Sequence, residues 1–281
     1  KVSFEMAEYT FAESEGVVNI AVKVIGQELT EPATATVEYV PNSGTATINE
    51  DFTLASPQIL NFDALNSTAY FTINIIDDAI DEDDEYFELK ITNTTGDLGF
   101  SDTLIVVAKI YITDNDLPPK VSFITPASEG YRSVSNPLIP VQLSNISAKE
   151  ILVPFHLQGG TAVNDAIASG GDYAASPAGG TLVFQPGDSL KYLYVDNDNV
   201  NHLIVYNNYT FSPGDEKTII FELDENPVNA EREEFIQHIY TIKDYLEFEW
   251  QGLAGVGKKP SNTFIMAPDA AIDGSSIPNL G

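Results

Sequence analysis

Segments in which apolar and polar residues alternate run through most of the chain. Three regular ones cover residues 18–24, 69–75 and 87–91. A period of two places every second side chain on one face of a strand, and the β-branched and aromatic residues in these segments suit a pleated surface with one buried face. Many short strands of this kind predict an all-β fold, either a sandwich or a barrel. A weak helical pattern is confined to residues 230–244.

Short motifs of the first half return in the second half in the same order. The offset between the copies stays between 114 and 122 residues, which is typical of an internal repeat. The matching pairs are Val2-Ser3-Phe4 with Val121-Ser122-Phe123, Ser14-Glu15-Gly16 with Ser128-Glu129-Gly130, Gly44-Thr45-Ala46 with Gly160-Thr161-Ala162, Asp51-Phe52 with Asp172-Tyr173, and Leu60-Asn61-Phe62 with Leu182-Val183-Phe184.

The repeat predicts two antiparallel β-sandwich domains in tandem. The first spans residues 1–117, and the second, which is divergent and contains an insertion, spans residues 118–244. Pro118 and Pro119 end the preceding strand and stiffen the connection. Residues 245–281 match nothing in the first copy, and we expect them to form an extension of unknown role.

Composition excludes several classes of function. The chain of 281 residues has 42 acidic and 13 basic side chains, and its net charge of −29 repels nucleic acid and anionic lipid. There are no cysteines, which excludes disulfides, thiolate catalysis and cysteine zinc sites. No stretch approaches the roughly 20 apolar residues of a membrane helix. The three histidines share no metal-binding spacing and lie near no serine motif, so we expect no enzyme.

The acids are concentrated in residues 77–88, where eight of twelve residues are Asp or Glu. Such a run is often a solvated loop. Here it lies between two predicted strands, and further acids stand at Glu15, Asp51 and the Asp114/Asp116 pair. Gathering this much negative charge at one end of a sandwich is unfavourable unless a cation offsets it. Calcium suits the site because it takes six to eight oxygen ligands and tolerates irregular geometry.

These motifs together resemble the Calx-beta domain over residues 1–116. The resemblance rests on Val-Ser-Phe, Glu-Gly, Gly-Thr-Ala, Asp-Phe, Ile-Ile-Asp-Asp-x-x-x-Glu-x-x-Glu-x-Phe and Ile-Thr-Asp-Asn-Asp, in that order. The family includes regulatory domains of sodium–calcium exchangers, a module of integrin β4 and tandem repeats of bacterial surface proteins. The resemblance implies a seven-stranded, immunoglobulin-like sandwich with calcium held at one end.

The resemblance also implies a set of calcium ligands. Carried onto this chain, they are Glu15, Asp51, Asp77, Asp78, the carbonyl of Ile80, Glu82, Glu85, Asp114 and Asp116. Asn115 stands where the exchanger domains have a further aspartate, which lowers the charge of the site.

The second copy has lost part of this set. Glu129 and Asp172 remain, but the counterpart of the acidic segment 77–88, which we call the acidic hairpin, can be placed at two positions. The repeat offset places it at residues 196–201, which lack the downstream glutamates. The residue pattern places it at Asp224-Glu225 followed by residues 231–235, which requires roughly 25 inserted residues. In either alignment the second calcium site is incomplete.

Three functional hypotheses follow from these observations. The first is a non-enzymatic, calcium-stiffened segment of a bacterial cell-surface or secreted protein that serves adhesion or display, with other cell-surface proteins as partners. The second is a surface lipoprotein of the bacterial outer membrane that binds a glycan or acts as an accessory subunit of a membrane complex. The third is a calcium sensor that faces the cytosol, like the exchanger domains.

Overall fold

The computed structural model describes residues 1–26, 28–100, 103–132, 137–194, 202–206, 215–243, 246–248 and 264–266. The chain divides into two compact units. Unit 1 comprises Lys1–Pro118 and Ser147–Lys149, and unit 2 comprises Pro119–Ile146 and Glu150–Gly281. The part of the chain that the structure describes contains strands, turns and two short 3-10 turns but no α-helix, so no helix there could span a membrane.

The described residues of unit 1 form nine strands. They are β1 (Val2–Phe4), β2 (Glu8–Ala12), β3 (Val17–Val24), β4 (Ala33–Val40), β5 (Phe52–Leu54), β6 (Gln58–Phe62), β7 (Thr68–Ile75), β8 (Glu85–Thr94) and β9 (Val107–Thr113). One sheet has the order β1-β3-β7-β5 and the other the order β2-β9-β8-β4-β6. The expected count of seven is wrong because the N-terminal strand is divided between the two sheets as β1 and β2, and β5 is a short additional strand.

Alternation in the sequence explains how the two sheets share one core. In β7 the burial pattern alternates strictly from Phe71 to Ile75, and β8 buries Phe87, Leu89 and Ile91. These side chains meet those of β3 and β4 in a single apolar cluster. The predicted all-β fold is therefore confirmed, and the loops that connect the strands are left at the ends of the unit.

Unit 2 repeats this architecture with more strands. They are β10 (Lys120–Phe123), β11 (Ala127–Tyr131), β12 (Ile139–Leu143), β13 (Ile151–Gly160), β14 (Tyr173–Ser176), β15 (Gly179–Phe184), β16 (Leu190–Leu193), β17 (His202–Val205), β18 (Glu216–Leu223), β19 (Glu231–Arg232) and β20 (Gln237–Lys243). The five-stranded sheet has the order β11-β20-β18-β13-β15, which matches β2-β9-β8-β4-β6 of unit 1. A four-stranded sheet, β16-β12-β10-β19, and the pair β14-β17 complete it.

Two features of the C-terminal half differ from a simple repeat. The weak helical pattern over residues 230–244 is misleading: β19 and β20 lie there, because Tyr240 and Ile242 alternate into the core of unit 2. Further along, β21 (Leu246–Phe248) pairs antiparallel with β22 (Phe264–Met266).

Candidate metal centre

Two groups of three carboxylates lie at one end of unit 1. The first group is Asp51, Glu82 and Glu85, and the second is Glu13, Asp114 and Asp116. Within each group one oxygen of every side chain lies within 4.8 Å of the others. Five of these six residues belong to the ligand set that the sequence predicts, and Glu13 is the addition.

The first group is positioned by the strands on either side of it. Asp51 precedes β5, and its carboxylate accepts a hydrogen bond from the amide of Thr47. Glu85 is the first residue of β8. Phe52 and Phe87, one and two residues further along these strands, stack with ring centroids 3.7 Å apart in the core. This contact holds the starts of β5 and β8 together, so that the two carboxylates before it also meet.

The second group forms where β2 and β9 end side by side. These strands are parallel, and their last paired residues are Ala12 and Thr113. The next residue in each strand, Glu13 or Asp114, therefore reaches the same end of the sheet. Asp116 is held beside them because its amide donates to Asp114 Oδ1 at 3.1 Å.

The acidic loop between β7 and β8, which crosses from one sheet to the other, carries the remaining predicted ligands and connects the two groups. The amide of Glu82 donates to Asp114 Oδ2 at 3.2 Å, which joins the first group to the second. Asp77 accepts a hydrogen bond of 2.9 Å from the side-chain amide of Asn115. Asp78 accepts one of 2.7 Å from the amide of Ile80, which bends the loop back on itself.

Burial and mutual repulsion make these carboxyl groups hard to ionise. Desolvation, followed by the charges of Asp78, Asp114 and Asp116, raises the pKa of Glu13 to about 7. Desolvation and the neighbouring Asp51 raise the pKa of Glu85 to about 8. The pKa values of Glu82 and Asp116 are raised as well, again by desolvation first and nearby carboxylates second. The site therefore favours bound positive charge, either protons or a metal ion.

Three carboxylate oxygens in these groups are buried without a hydrogen-bond donor. They are Oε2 of Glu13, Oε2 of Glu85 and Oδ2 of Asp116. A buried acceptor without a donor is costly, and metal coordination is one way to satisfy it. An all-oxygen donor set with several carboxylates fits calcium, whereas zinc sites favour nitrogen and sulfur ligands. The residues present therefore fit the predicted ion.

The sequence profile of the Calx-beta domain matches residues 1–116 and again residues 114–203. The chain belongs to the Calx-beta domain family. The two matches correspond to the repeat found in the sequence, so the predicted tandem of Calx-beta copies is confirmed.

Curated proteins and solved structures also resemble this Calx-beta protein. The sodium/calcium exchanger Calx of Drosophila melanogaster is 28% identical over 193 residues, 69% of this chain and 19% of the exchanger. The adhesion G-protein coupled receptor V1 of Danio rerio is 29% identical over 160 residues, 54% of this chain and 2% of the receptor. The chain thus spans a small part of either relative's length.

Among solved structures, the calcium binding domain CBD12 of CALX1.1 is 21% identical, with 85% of this chain and 99% of that chain covered and a TM-score of 0.39. The apo-form Calx CBD1 domain is 26% identical, with 41% of this chain and 96% of that chain covered and a TM-score of 0.37.

The structure does not bring the predicted ligand Glu15 into either carboxylate group. Its Oε1 instead accepts a hydrogen bond of 3.0 Å from the amide of Ala12, which closes the 3-10 turn Glu13–Glu15. Glu13 lies at the site instead and is 5% exposed. The sequence contained a signal for it, because Glu13 continues the alternation of Tyr9 and Phe11 on the inward face of β2.

The second Calx-beta copy can be aligned with the first through a shared turn. In unit 1 the amide of Tyr86 donates to Thr45 Oγ1 at 3.3 Å, and the amide of Ala46 donates to the carbonyl of Tyr86 at 3.1 Å. In unit 2 the same two bonds join Thr218 to Thr161 and Ala162, at 2.9 Å each. Thr218 in β18 is therefore the counterpart of Tyr86 in β8.

This alignment changes the expected position of the second acidic hairpin. Residues 196–201 lie outside the described residues. The alternative at Asp224-Glu225 is wrong, because Asp224 follows the far end of β18 and its carboxylate bonds His156. Phe235, the supposed counterpart of the buried Phe87, is 37% exposed.

The residue of unit 2 that corresponds to Ile76, the last residue before the acidic segment of unit 1, is Tyr206. Its amide donates to the carbonyl of Asp172 at 2.9 Å, as the amide of Ile76 does to the carbonyl of Asp51. The next residues in the sequence are Asn207 and Asn208, where unit 1 has two aspartates.

The match of Glu129 with Glu15 also fails. Glu129 pairs with Thr241 in β20, and Thr241 pairs with Thr218. The equivalent chain of pairs in unit 1 leads from Tyr86 through Tyr111 to Thr10. Glu129 therefore corresponds to Thr10, and it bonds Lys243 at 2.6 Å.

Proposed function

We propose that unit 1 is a calcium-binding module in which each carboxylate group holds an ion. The observation that carries this proposal is the set of three buried carboxylate oxygens without donors, on Glu13, Glu85 and Asp116. Asp51 and Glu82 complete the first group, and Asp114 completes the second. The carbonyl of Ile80 and the side chains of Asp77 and Asp78, on the loop between β7 and β8, are close in sequence and supply further oxygens.

Coordination number and geometry favour calcium over magnesium. The ligands come from four separate segments of unit 1, and a site assembled in this way is irregular. Magnesium demands a near-ideal octahedron and gives up its waters reluctantly, whereas calcium accepts six to eight oxygens in flexible geometry. The name of CBD12 of CALX1.1, a calcium binding domain, also supports this proposal.

Isothermal titration calorimetry on the full chain tests calcium binding directly. Calcium added to chelator-stripped protein should give saturable heat, and millimolar magnesium should compete weakly. The matched control is Glu31→Gln, which removes one negative charge at an exposed residue outside the site and should leave binding unchanged. Absence of saturable heat in the wild-type protein would overturn the proposal.

The wider role that we propose is a calcium-stiffened segment of a surface protein that serves adhesion or display. The tandem repeat, the charge of −29 and the lack of cysteine support it, as does the similarity to an adhesion receptor. Calcium at Asp114 and Asp116 would fix the chain just before Pro118, the last residue of the N-terminal segment of unit 1. Small-angle scattering should then show a narrower spread of distances between units when calcium is added. Identical profiles with calcium and with chelator would contradict the stiffening role.

A further inference from the structure

Two large inward-facing side chains have changed strands between unit 1 and unit 2. Strand pairing gives the alignment, because Tyr86 pairs with Tyr111 in β9 and its counterpart Thr218 pairs with Thr241 in β20. In unit 1 the edge strand β2 carries the larger side chains, whereas in unit 2 the inner strand β20 carries them and the edge strand β11 has small ones. The corresponding residues are Tyr9 with Ser128, Ala108 with His238, Phe11 with Gly130 and Ile110 with Tyr240.

This exchange leaves β11 with little apolar surface to bury. None of its five residues is buried, whereas β2 buries Tyr9. No larger residue fits at Gly130, because a Cβ there would lie 2.0 Å from the hydroxyl of Tyr240. On its outward face, β11 is joined to β20 by an exposed ion pair, which contributes little. On its inward face, Ser128 Oγ bonds His238 Nε2 at 2.7 Å.

His238 is completely buried, and its hydrogen bonds satisfy the neutral form of the ring. Nδ1 lies 2.7 Å from the carbonyl of Thr125, which can only accept, so Nδ1 carries the proton. Nε2 is then the acceptor for the hydroxyl of Ser128. The centroid of the ring lies 5.4 Å from that of Phe123 and 6.4 Å from that of Phe221. Burial among these rings lowers the pKa of His238.

No carboxylate that the structure describes faces His238 to balance a positive charge on its ring. Apart from burial, only the hydrogen bond to the Thr125 carbonyl acts on its pKa. The carboxylates in and after the surrounding strands face outward or are exposed, and they are Glu129, Glu222, Asp224, Glu231, Glu233 and Glu234. The buried Asp172 bonds Lys217 at the other end of β18. The remaining inward-facing titratable groups are phenols and cations, and they are Tyr194, Tyr240, Arg132 and Arg232.

We propose that His238 is a pH switch that holds β11 on β20 while its ring is neutral and releases the strand when the ring is protonated. A proton on Nε2 removes the acceptor that Ser128 uses and places an unbalanced charge between Phe123 and Phe221. Once β11 has opened, the ring reaches water and regains its usual pKa of 6.5. The closed form is therefore favoured above pH 6.5 and loses stability as pH falls below it. Ala108, the counterpart in unit 1, has no group to titrate.

Hydrogen exchange of the full chain at pH 7.5 and pH 5.5, measured by mass spectrometry and corrected for the intrinsic pH dependence of exchange, tests the switch. With a pKa of 6.5 in the open form and a neutral ring in the closed form, the open population of β11 should rise roughly tenfold between these values. Peptides from β11 should lose protection by that factor, whereas peptides from β13 and from β2 of unit 1 should not. Unchanged protection of β11 would overturn the proposal.

A variant of unit 2 that carries the arrangement of unit 1 is the specific control. His238→Ala with Ser128→Tyr reproduces the pair Ala108 and Tyr9, and the tenfold change in β11 should disappear. His156→Gln removes another histidine of unit 2, whose side chain is 46% exposed, and should leave the change in place. The same pH dependence in His238→Ala with Ser128→Tyr as in the wild-type chain would contradict the proposal.

Nitrogen-15 NMR of the histidine rings in the wild-type chain decides the matter if the double variant does not fold. At pH 7.5 the ring of His238 should carry its proton on Nδ1 alone. As pH is lowered, the second proton should be taken up over the same range in which β11 loses protection. A proton on Nε2 at pH 7.5, or a charged ring beneath a β11 that stays protected, would overturn the proposal.

Discussion

Glu13 and Asp116 come from opposite ends of the sequence of unit 1, yet an oxygen of one carboxylate lies within 4.8 Å of an oxygen of the other. Each has one buried oxygen that accepts no hydrogen bond, Oε2 in Glu13 and Oδ2 in Asp116. The parallel pairing of β2 with β9 creates this contact, because the two strands end at the same level. A calcium ion at this point would join the first part of unit 1 to its last few residues.

The first prediction separates Glu13 from Glu15. Glu13→Gln should weaken calcium binding by at least roughly tenfold, about 1.4 kcal/mol, because it removes a buried charge from the second group. Glu15→Gln makes the same chemical change two residues away and should alter affinity much less, since Glu15 closes the turn at Ala12. Calorimetric titration measures both. A larger loss of calcium affinity in Glu15→Gln than in Glu13→Gln would show that Glu15 is the ligand, as the sequence predicts.

The second prediction concerns the first group. Glu82→Gln with Glu85→Gln should weaken calcium binding sharply, because two of its three carboxylates are lost. In chelator the same double variant should be as stable as the wild type or more stable, since it relieves repulsion with Asp51. Thermal unfolding in chelator and in calcium measures both effects. Destabilisation in chelator would show that the glutamates have structural partners.

The third prediction is a pH dependence in chelator. A carboxyl group whose pKa is raised on folding keeps its proton to a higher pH in the folded state than in the unfolded state. It therefore contributes stability at low pH that is lost as pH rises. For Glu13 the loss falls between about 4.5 and about 7, and for Glu85 between about 4.5 and about 8. These two groups should therefore make calcium-free unit 1 unfold at a lower temperature at pH 8 than at pH 5.5. Thermal unfolding in chelator at the two pH values measures the difference.

Calcium should reverse this trend. The ion binds the deprotonated carboxylates, so its affinity should increase as pH rises through 7 to 8, and binding should release protons. The control is the double variant Glu13→Gln with Glu85→Gln, in which calcium affinity should depend less on pH between about 7 and 8. An affinity that is constant from pH 6 to pH 8.5 would contradict the raised pKa values.

Much of the fold and of the site was accessible from the sequence because both depend on local patterns. Alternation identified the strands that bury Phe71 and Phe87, and the acidic run identified the segment that carries Glu82 and Glu85. The Glu-Gly motif suggested Glu15 as the ligand near Gly16, whereas the structure places Glu13 in the group with Asp114 and Asp116. Only the pairing of β2 with β9 shows that Glu13 is the residue beside Asp114.

The second copy could not be aligned from its sequence because its register is set by contacts between distant segments. The repeat offset near Lys217 is 132 residues, larger than in any of the motif pairs, since unit 2 has extra residues before β18. The hydrogen bonds of Thr218 to Thr161 and Ala162 place Lys217 at the position that Glu85 has in unit 1, so the sign of the charge is not kept between the two copies.

The most direct test of calcium binding by unit 1 is hydrogen exchange of the wild-type chain in chelator and in calcium at a hundredfold excess over Kd. Binding to the folded state alone should stabilise unit 1 by about 2.7 kcal/mol, so exchange through its global unfolding should slow by roughly a hundredfold. Peptides from β2, β8 and β9 should show this protection, and peptides from β11, β18 and β20 should not. Equal exchange of β2, β8 and β9 in the two conditions would contradict the account.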